Sequence, residues 1–367
     1  MDFTEYYQQK FFLPSGTINK ITKKYRVQQE HFLSWFIGFI EGDGSYYTNQ
    51  KDPTLEVLNK NIFKTNFENK PKKLSFEITQ KDPRLLFFIR KNLGFGLVYP
   101  FTNKDRIYYR YYTSKKENIF KIVALLNGNL ILEKRKKQFE FWLSIINQKW
   151  FLLIPLKPCK QSPSLKNGWV SGFVEADGGF YTNVKTGFRK SGGYYNYLLK
   201  MYITQKGEKP TLTNIRDLFG ATTIIQEFQN TERSICYNRL EINSLDSREQ
   251  IIAYFQKFPL KGMKNIHYKR WVRIHNYQKN KINIRTERSA TKLQRLVQSI
   301  EERPLLEFFN QNMDILQLYL LSNSNTAIDF VISQGLQENI EKIQIVKDIW
   351  ESSRITDSLD IEDSEEL

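Results

Sequence analysis

Apolar residues recur at helical spacing in two well-separated stretches of this chain: Leu33, Phe36, Ile37 and Ile40, then Val170, Phe173 and Val174. The spacing predicts a helix over 33–43 and another over 168–177, stopped by Gly44 and Gly178 just past their ends. After each helix the pattern changes to alternation, which predicts strands near 44–50 and 73–80 in the first unit. Asp82-Pro83 then opens a helix, with the aspartate as N-cap and the proline at the first helical position. Strands near 95–101 and 106–113, followed by helices near 115–127 and 133–147, close the unit. The second unit follows suit, with strands near 178–186 and 194–205 and a helix near 209–219. Strands near 222–228 and 233–243 and helices near 246–257 and 265–279 complete it. Read twice, the order αββαββα plus one helix predicts an α+β fold. Each antiparallel sheet should carry helices on one face and leave the other free.

The two predicted motif helices are one phrase written twice. Phe36-Ile-Gly-Phe-Ile-Glu-Gly-Asp-Gly44 matches Val170-Ser-Gly-Phe-Val-Glu-Ala-Asp-Gly178, and Ile-Thr-Gln-Lys occurs at 78–81 and again at 203–206. Asp43 and Asp177 stand about one small domain apart. Gly38 and Gly42, like Gly172 and Ala176, are small residues four apart and share a helix face. Glycine inside a helix costs about 1 kcal/mol relative to alanine. Its presence on one face in both copies therefore points to helix packed closely on helix. The last turn of each helix holds two acids, Glu41 with Asp43 and Glu175 with Asp177. Acids are unfavourable at a helix C-terminus, and packing the two ends together adds their repulsion. A shared divalent cation is the simplest compensation, and carboxylate oxygens suit Mg²⁺ or Ca²⁺.

Alternation places one polar set on the free face of the first sheet: Tyr47, Asn49, Lys73, Ser75, Glu77, Thr79, Lys81, Arg106, Tyr108, Arg110 and Tyr112. In the second sheet Tyr181, Asn183, Lys185, Lys200, Tyr202, Thr204, Arg233, Tyr237 and Arg239 take similar places. A solvated face without a partner is the plain alternative, and charge weighs against it. The formal net charge is +16, and residues 300–367 hold 15 acidic against 4 basic side chains. The remaining residues thus carry 51 basic and 24 acidic side chains, so the duplicated part is the strongly basic one. A polyanion is the expected partner, and strands bearing Arg, Lys, Asn and Thr suit a DNA major groove.

Other classes fit poorly. No apolar run approaches the ~20 residues of a membrane span, and Phe151-Leu-Leu-Ile-Pro-Leu156 is short and reads as part of the junction between repeats. The first residues lack the pattern of a secretory signal. Cys159 and Cys236 alone argue against a disulfide framework or structural zinc site, and His31, His267 and His275 form no ligand spacing.

The doubled motif resembles that of single-chain, two-repeat LAGLIDADG homing endonucleases, over roughly residues 30–296. The resemblance implies a pseudo-two-fold duplicated fold whose sheets form a DNA-binding saddle. It divides the chain into a leader (1–30), a first repeat (31–150), a linker (151–166), a second repeat (167–299) and an acidic extension (300–367). Helices are expected in that extension, then a disordered end from about 352. Its role is left open between a plain appendage and a segment that limits non-specific binding.

By resemblance the eighth motif position is the metal-binding acid, which selects Asp43 and Asp177 for metal and catalysis. Glu41 and Glu175 are expected to support helix ends or neighbouring amides. Gln80 and Gln205 resemble the family position that orders water near the metal. A basic residue is expected before each repeat's last helix: Lys264 in the second copy, and Lys134 or Arg135 in the first. Arg84 is a further candidate phosphate contact.

Mg²⁺ is the implied cofactor, with Mn²⁺ substituting and Ca²⁺ binding without supporting cleavage. The implied activity is metal-dependent double-strand cutting of a long, non-palindromic DNA site by a monomer, leaving short 3′ overhangs. The implied setting is a mobile intron in a mitochondrion or chloroplast. The rivals are an RNA maturase acting on intron RNA, and a DNA-binding protein with decayed cleavage. Retention of both acids favours the nuclease.

Overall fold

Asp82-Pro83 behaves as its chemistry requires. In the computed structural model Asp82 is extended (φ −95°, ψ 115°) and its side chain accepts from the Arg84 amide. The helix it opens ends on Gly94, which adopts the left-handed conformation (φ 81°). The structure describes residues 1–11, 23–50, 73–103, 106–189, 192–230, 235–280 and 296. The expectations for 300–367 lie outside them.

The first repeat comprises α1 (Thr4–Phe11), α2 (Lys23–Asp43), β1 (Gly44–Thr48), β2 (Leu74–Gln80) and α3 (Pro83–Leu93). It continues with β3 (Leu97–Asn103), β4 (Arg106–Thr113), α4 (Lys116–Leu126) and α5 (Glu133–Trp150). The second comprises α6 (Trp169–Asp177), β5 (Gly178–Arg189), β6 (Gly192–Lys206) and α7 (Lys209–Leu218). It ends with β7 (Gln226–Asn230), β8 (Ile235–Ile242), α8 (Leu245–Lys257) and α9 (Lys264–Lys279). The sheets run β1-β2-β4-β3 and β5-β6-β8-β7, and every described pairing is antiparallel. The pseudo-two-fold duplicated αββαββα arrangement is therefore present. Among the described residues no helix is long and apolar enough to cross a membrane.

Burial follows strand parity. Tyr109 and Tyr111 are buried while Arg110 and Tyr112 between and beyond them are half-buried on the opposite face. In the second sheet Leu199, Met201 and Ile203 are buried, and Lys200, Tyr202 and Thr204 lie on the open face. Helices α2, α3 and α5 pack against the first sheet, and α6, α7 and α9 against the second. The cores are aromatic, built around Phe36, Phe76, Phe139 and Trp142 in one repeat and Phe180, Phe255 and Trp271 in the other.

Two features differ from the expectation. Helix α2 begins at Lys23, ten residues before the expected start at 33. The leader is also part of the core: α1 packs on α4, with Tyr6 and Tyr7 buried. Asp2 and Asn129 exchange two hydrogen bonds of 2.8 and 2.6 Å, which fasten the chain start to the first repeat.

Candidate active site and nucleic-acid interface

The small residues of the two motifs bring α2 and α6 into backbone contact. A Cβ added at Gly38 would overlap the Trp169 carbonyl, and one at Gly172 would overlap the Trp35 carbonyl. Each helix thus presses its glycine on the other's backbone at the equivalent tryptophan, which defines a pseudo-two-fold axis between them. Further along, a Cβ at Gly42 would overlap the Ala176 methyl and the Asp177 carboxylate. The two helices therefore deliver Asp43 and Asp177 to one place.

Each acid is held by the glutamine of the repeated Ile-Thr-Gln-Lys. Gln80 Nε2 donates to Asp43 Oδ2 at 2.6 Å, and Gln205 Nε2 donates to Asp177 Oδ2. Burial pushes the Asp43 carboxyl above its ordinary range. Asp177 is pushed up to about 6, first by burial and then by the Asp43 charge, against the pull of Lys264 and Arg135. Two carboxylates that resist ionising together, at converging helix C-termini, form a locus deficient in positive charge.

Cations cap the helix ends and draw on both acids. Lys264 Nζ donates to the Val174 and Ala176 carbonyls at 3.2 and 2.8 Å. In the first repeat Arg135 does this, through Nε to the Glu41 carbonyl (2.6 Å) and Nη2 to the Gly42 carbonyl (2.5 Å). Of the two alternatives for the first copy, the position matching Lys264 thus falls to Arg135. Lys134 is exposed over much of its surface, but its amine is partly desolvated; that, then Arg135 and Lys206, lowers its pKa, opposed by Asp177 and Glu208. It belongs to the surroundings of the other repeat's acid.

The sixth-position glutamates are buried struts. Glu41 Oε1 accepts from the Ile131 and Leu132 amides at 2.7 Å each, and its Oε2 accepts from Trp169 Nε1 at 2.5 Å. Burial pushes its carboxyl up to about 7. Glu175 Oε2 accepts from the Lys261 and Gly262 amides at 2.7 and 3.0 Å, and burial likewise raises it. The Trp169–Glu41 bond across the repeats has no described counterpart at Trp35, whose Nε1 is buried without a partner. Sequence gave no sign of that asymmetry. Glu208, also missed, is buried and accepts from the Lys134 amide at 3.2 Å, joining α7 to the start of α5.

The expected recognition residues separate into groups. Tyr47, Asn49, Lys73, Thr79, Lys81, Arg106 and Tyr237 are exposed. Tyr181, Asn183, Lys200, Tyr202, Thr204, Arg110 and Arg239 are half-buried. Ser75 departs from the expectation: it is 2% exposed and donates to Glu77 Oε1 at 2.8 Å, so it presents nothing to a partner. Glu77 pairs with Arg110 at 3.1 Å, and the Arg84 guanidinium is committed to Asp82 at 2.6 Å. The Lys185 side chain and Arg233 lie outside the described residues.

The donor set at the acids is all oxygen, and a hard divalent cation characteristically binds through one or two carboxylates plus phosphate oxygens. Among the described residues no group of three or more His, Cys, Asp or Glu gathers, so such a cation would take its remaining ligands from water or substrate. The residues fit Mg²⁺ held by Asp43 and Asp177.

A duplicated αββαββα chain with paired acids at packed motif helices is the architecture of the single-chain, two-repeat LAGLIDADG class. The LAGLIDADG endonuclease family model matches residues 36–146 and 170–275. The probable intron-encoded endonuclease 4 of Neurospora crassa is 31% identical over 69% of this chain and 42% of its own length. The probable intron-encoded endonuclease Cox1-I1b of Schizosaccharomyces pombe is 27% identical over 66% of this chain and 63% of its own length. The chain therefore spans less than two thirds of either relative. Among solved structures, the LAGLIDADG meganuclease I-AabMI bound to uncleaved DNA superposes with a TM-score of 0.54 at 17% identity, over 72% of this chain and 98% of that one. This chain belongs to the LAGLIDADG endonuclease family.

Proposed function

We propose that the chain is a site-specific, divalent-metal-dependent DNA endonuclease that cuts both strands of a long, asymmetric double-stranded target as a monomer. The observation that carries this reading is the convergence of Asp43 and Asp177, one from each repeat, at the pseudo-dyad. Two unequal halves suit a non-palindromic site, and the basic open sheets suit its major groove. The similarly folded meganuclease I-AabMI, whose structure is bound to uncleaved DNA, supports a DNA partner. By family resemblance the cuts leave short 3′ overhangs. The intron-encoded relatives support an origin in a mobile, organellar intron.

Asp43 and Asp177 would hold the cation, which when bound would supply charge neutralisation at the scissile phosphates and activate a water. Gln80 and Gln205 fix the orientation of the carboxylates. Arg135 and Lys264 hold the helix ends so that both acids face one centre, and their positive charge lies where negative charge builds up on the phosphoryl oxygens. Lys134, beside Asp177, is assigned to a phosphate.

The test is cleavage of a randomised-site DNA library with Mg²⁺, Mn²⁺, Ca²⁺ or chelator. Cuts at one asymmetric sequence with Mg²⁺ or Mn²⁺, and binding without cuts in Ca²⁺, are expected. Cuts that persist in chelator would overturn the metal-dependent reading.

A further inference from the structure

Each open sheet holds one arginine locked in place by an acid and an aromatic ring, at equivalent positions in the two repeats. Arg110 pairs across strands with Thr79, and Arg239 with Thr204. Those threonines occupy the same place in the repeated Ile-Thr-Gln-Lys, one residue before the glutamines on Asp43 and Asp177. The arginines are therefore related by the pseudo-dyad and flank the carboxylate centre.

Both are restrained by an acid and a ring, through different atoms: Arg110 engages its acid through Nη1 and keeps Nε buried without a partner among the described residues, whereas Arg239 engages its acid through Nε. Arg110 Nη1 lies 3.1 Å from Glu77 Oε2, and its guanidinium stands 4.4 Å over the Phe101 ring. Arg239 Nε donates to Glu241 Oε1 at 2.8 Å and Nη1 to Thr204 Oγ1 at 3.3 Å, with its guanidinium 4.3 Å over Tyr202. Both acids are themselves braced, Glu77 by Ser75 at 2.8 Å and Glu241 by Lys200 at 2.9 Å.

The acids come from different strands. Glu77 on β2 faces Tyr112 on β4, whereas Tyr202 on β6 faces Glu241 on β8. One cross-strand Glu–Tyr pair thus appears in both repeats with its members exchanged, and the arginine between keeps its carboxylate either way. A carboxylate in the middle of a face meant for a polyanion is unfavourable unless it serves another group. Here it holds a guanidinium that would otherwise swing to the nearest phosphate.

Resting on the nuclease reading above, we infer that Arg110 and Arg239 read a matched pair of guanines, one per half-site, with Glu77 and Glu241 as their positioning residues. A guanidinium fork fits guanine O6 and N7 in the major groove, and stacking with an acid on one edge orients the remaining donors. The pseudo-dyad relates one DNA strand to the other. The guanines therefore fall on opposite strands at equal distance from the cut centre, inside an otherwise asymmetric target.

The experiment is selection of bound sites from a randomised DNA library by the full chain in Ca²⁺, for the wild type and for Arg110→Lys, Arg239→Lys, Glu77→Gln and Glu241→Gln. The wild type should enrich guanine at least tenfold over other bases at the two mirror positions. Each lysine variant keeps the charge and loses the fork, so guanine preference should collapse at one position only. Each glutamine variant should weaken that same preference at least threefold while non-specific affinity rises, which a merely structural role would not produce. An enriched site without mirrored guanines, or preferences unchanged in the lysine variants, overturns this inference and leaves the nuclease reading standing. Failure to enrich any sequence overturns both.

Discussion

Asp177 combines burial, a helix C-terminus and a neighbouring carboxylate, each of which disfavours its charge. Its carboxyl is raised from 3.8 to about 6, so the folded state holds a proton that the unfolded chain has released. The associated stability is present below pH 3.8 and is lost as pH rises through about 6. Asp177→Asn should therefore leave the metal-free protein unchanged near pH 4 and stabilise it at pH 7.5 by about 1–3 kcal/mol. Thermal unfolding at the two pH values checks this, and added Mg²⁺ should narrow the gap by stabilising the wild type. A gap independent of pH would contradict the charge argument. Glu41 is raised as well, to about 7, because burial outweighs the three donors that hold it. Glu41→Ala strands all three and should cost about 3 kcal/mol or more in urea unfolding, exceeding Glu175→Ala, which strands two. At this scale the repeated phrases pointed to Asp43, Asp177, Gln80 and Gln205, which the structure brings together, while Lys264 was singled out only by the family position before the last helix. It left Lys134 and Arg135 as alternatives. Chain position alone does not say which head group reaches the Glu41 and Gly42 carbonyls.

Helices α2 and α6 meet through glycine, and that contact sets how far apart the acids stand. In an ordinary helix Gly→Ala stabilises by up to about 1 kcal/mol. At Gly38 and Gly172 the new methyl meets the facing backbone carbonyl, so the same change should destabilise by about 1–3 kcal/mol. Cleavage should fall further than stability, because the helices must separate to admit the methyl. Comparing unfolding midpoints with cutting rates for both variants measures the two effects; a stabilised, fully active Gly38→Ala would refute the contact. Alternation proposed a parity for each strand without settling it, because polar residues such as Thr113, Thr182 and Asn238 also face the core. The burial of Ser75 was not legible either, since alternation assigns a face without saying that Glu77 covers a small residue beside it. Nor did alternation reveal the acid held against each arginine.

At the scale of the whole molecule, the proposed reading has the basic repeats meet DNA through many phosphate contacts, so binding should depend steeply on salt. With six or more such contacts, affinity should drop about a thousandfold or more between 50 and 200 mM salt. A shallow slope in a filter-binding titration would deny the saddle its role. The duplication and the order of elements could be read from repeated patterns, whereas the strand order within each sheet came only with the structure. The place of α1 could not be read either: its helix is one short element, and Tyr6 and Tyr7 find their burial only against α4, far along the chain.

The central claim is that one acid from each repeat builds a single cutting centre. Strand-resolved cleavage of the selected target by Asp43→Asn and Asp177→Asn, each with Mg²⁺, tests it most directly. Either substitution should abolish double-strand cutting while Ca²⁺-supported binding survives. Full cutting of both strands by either variant would contradict it.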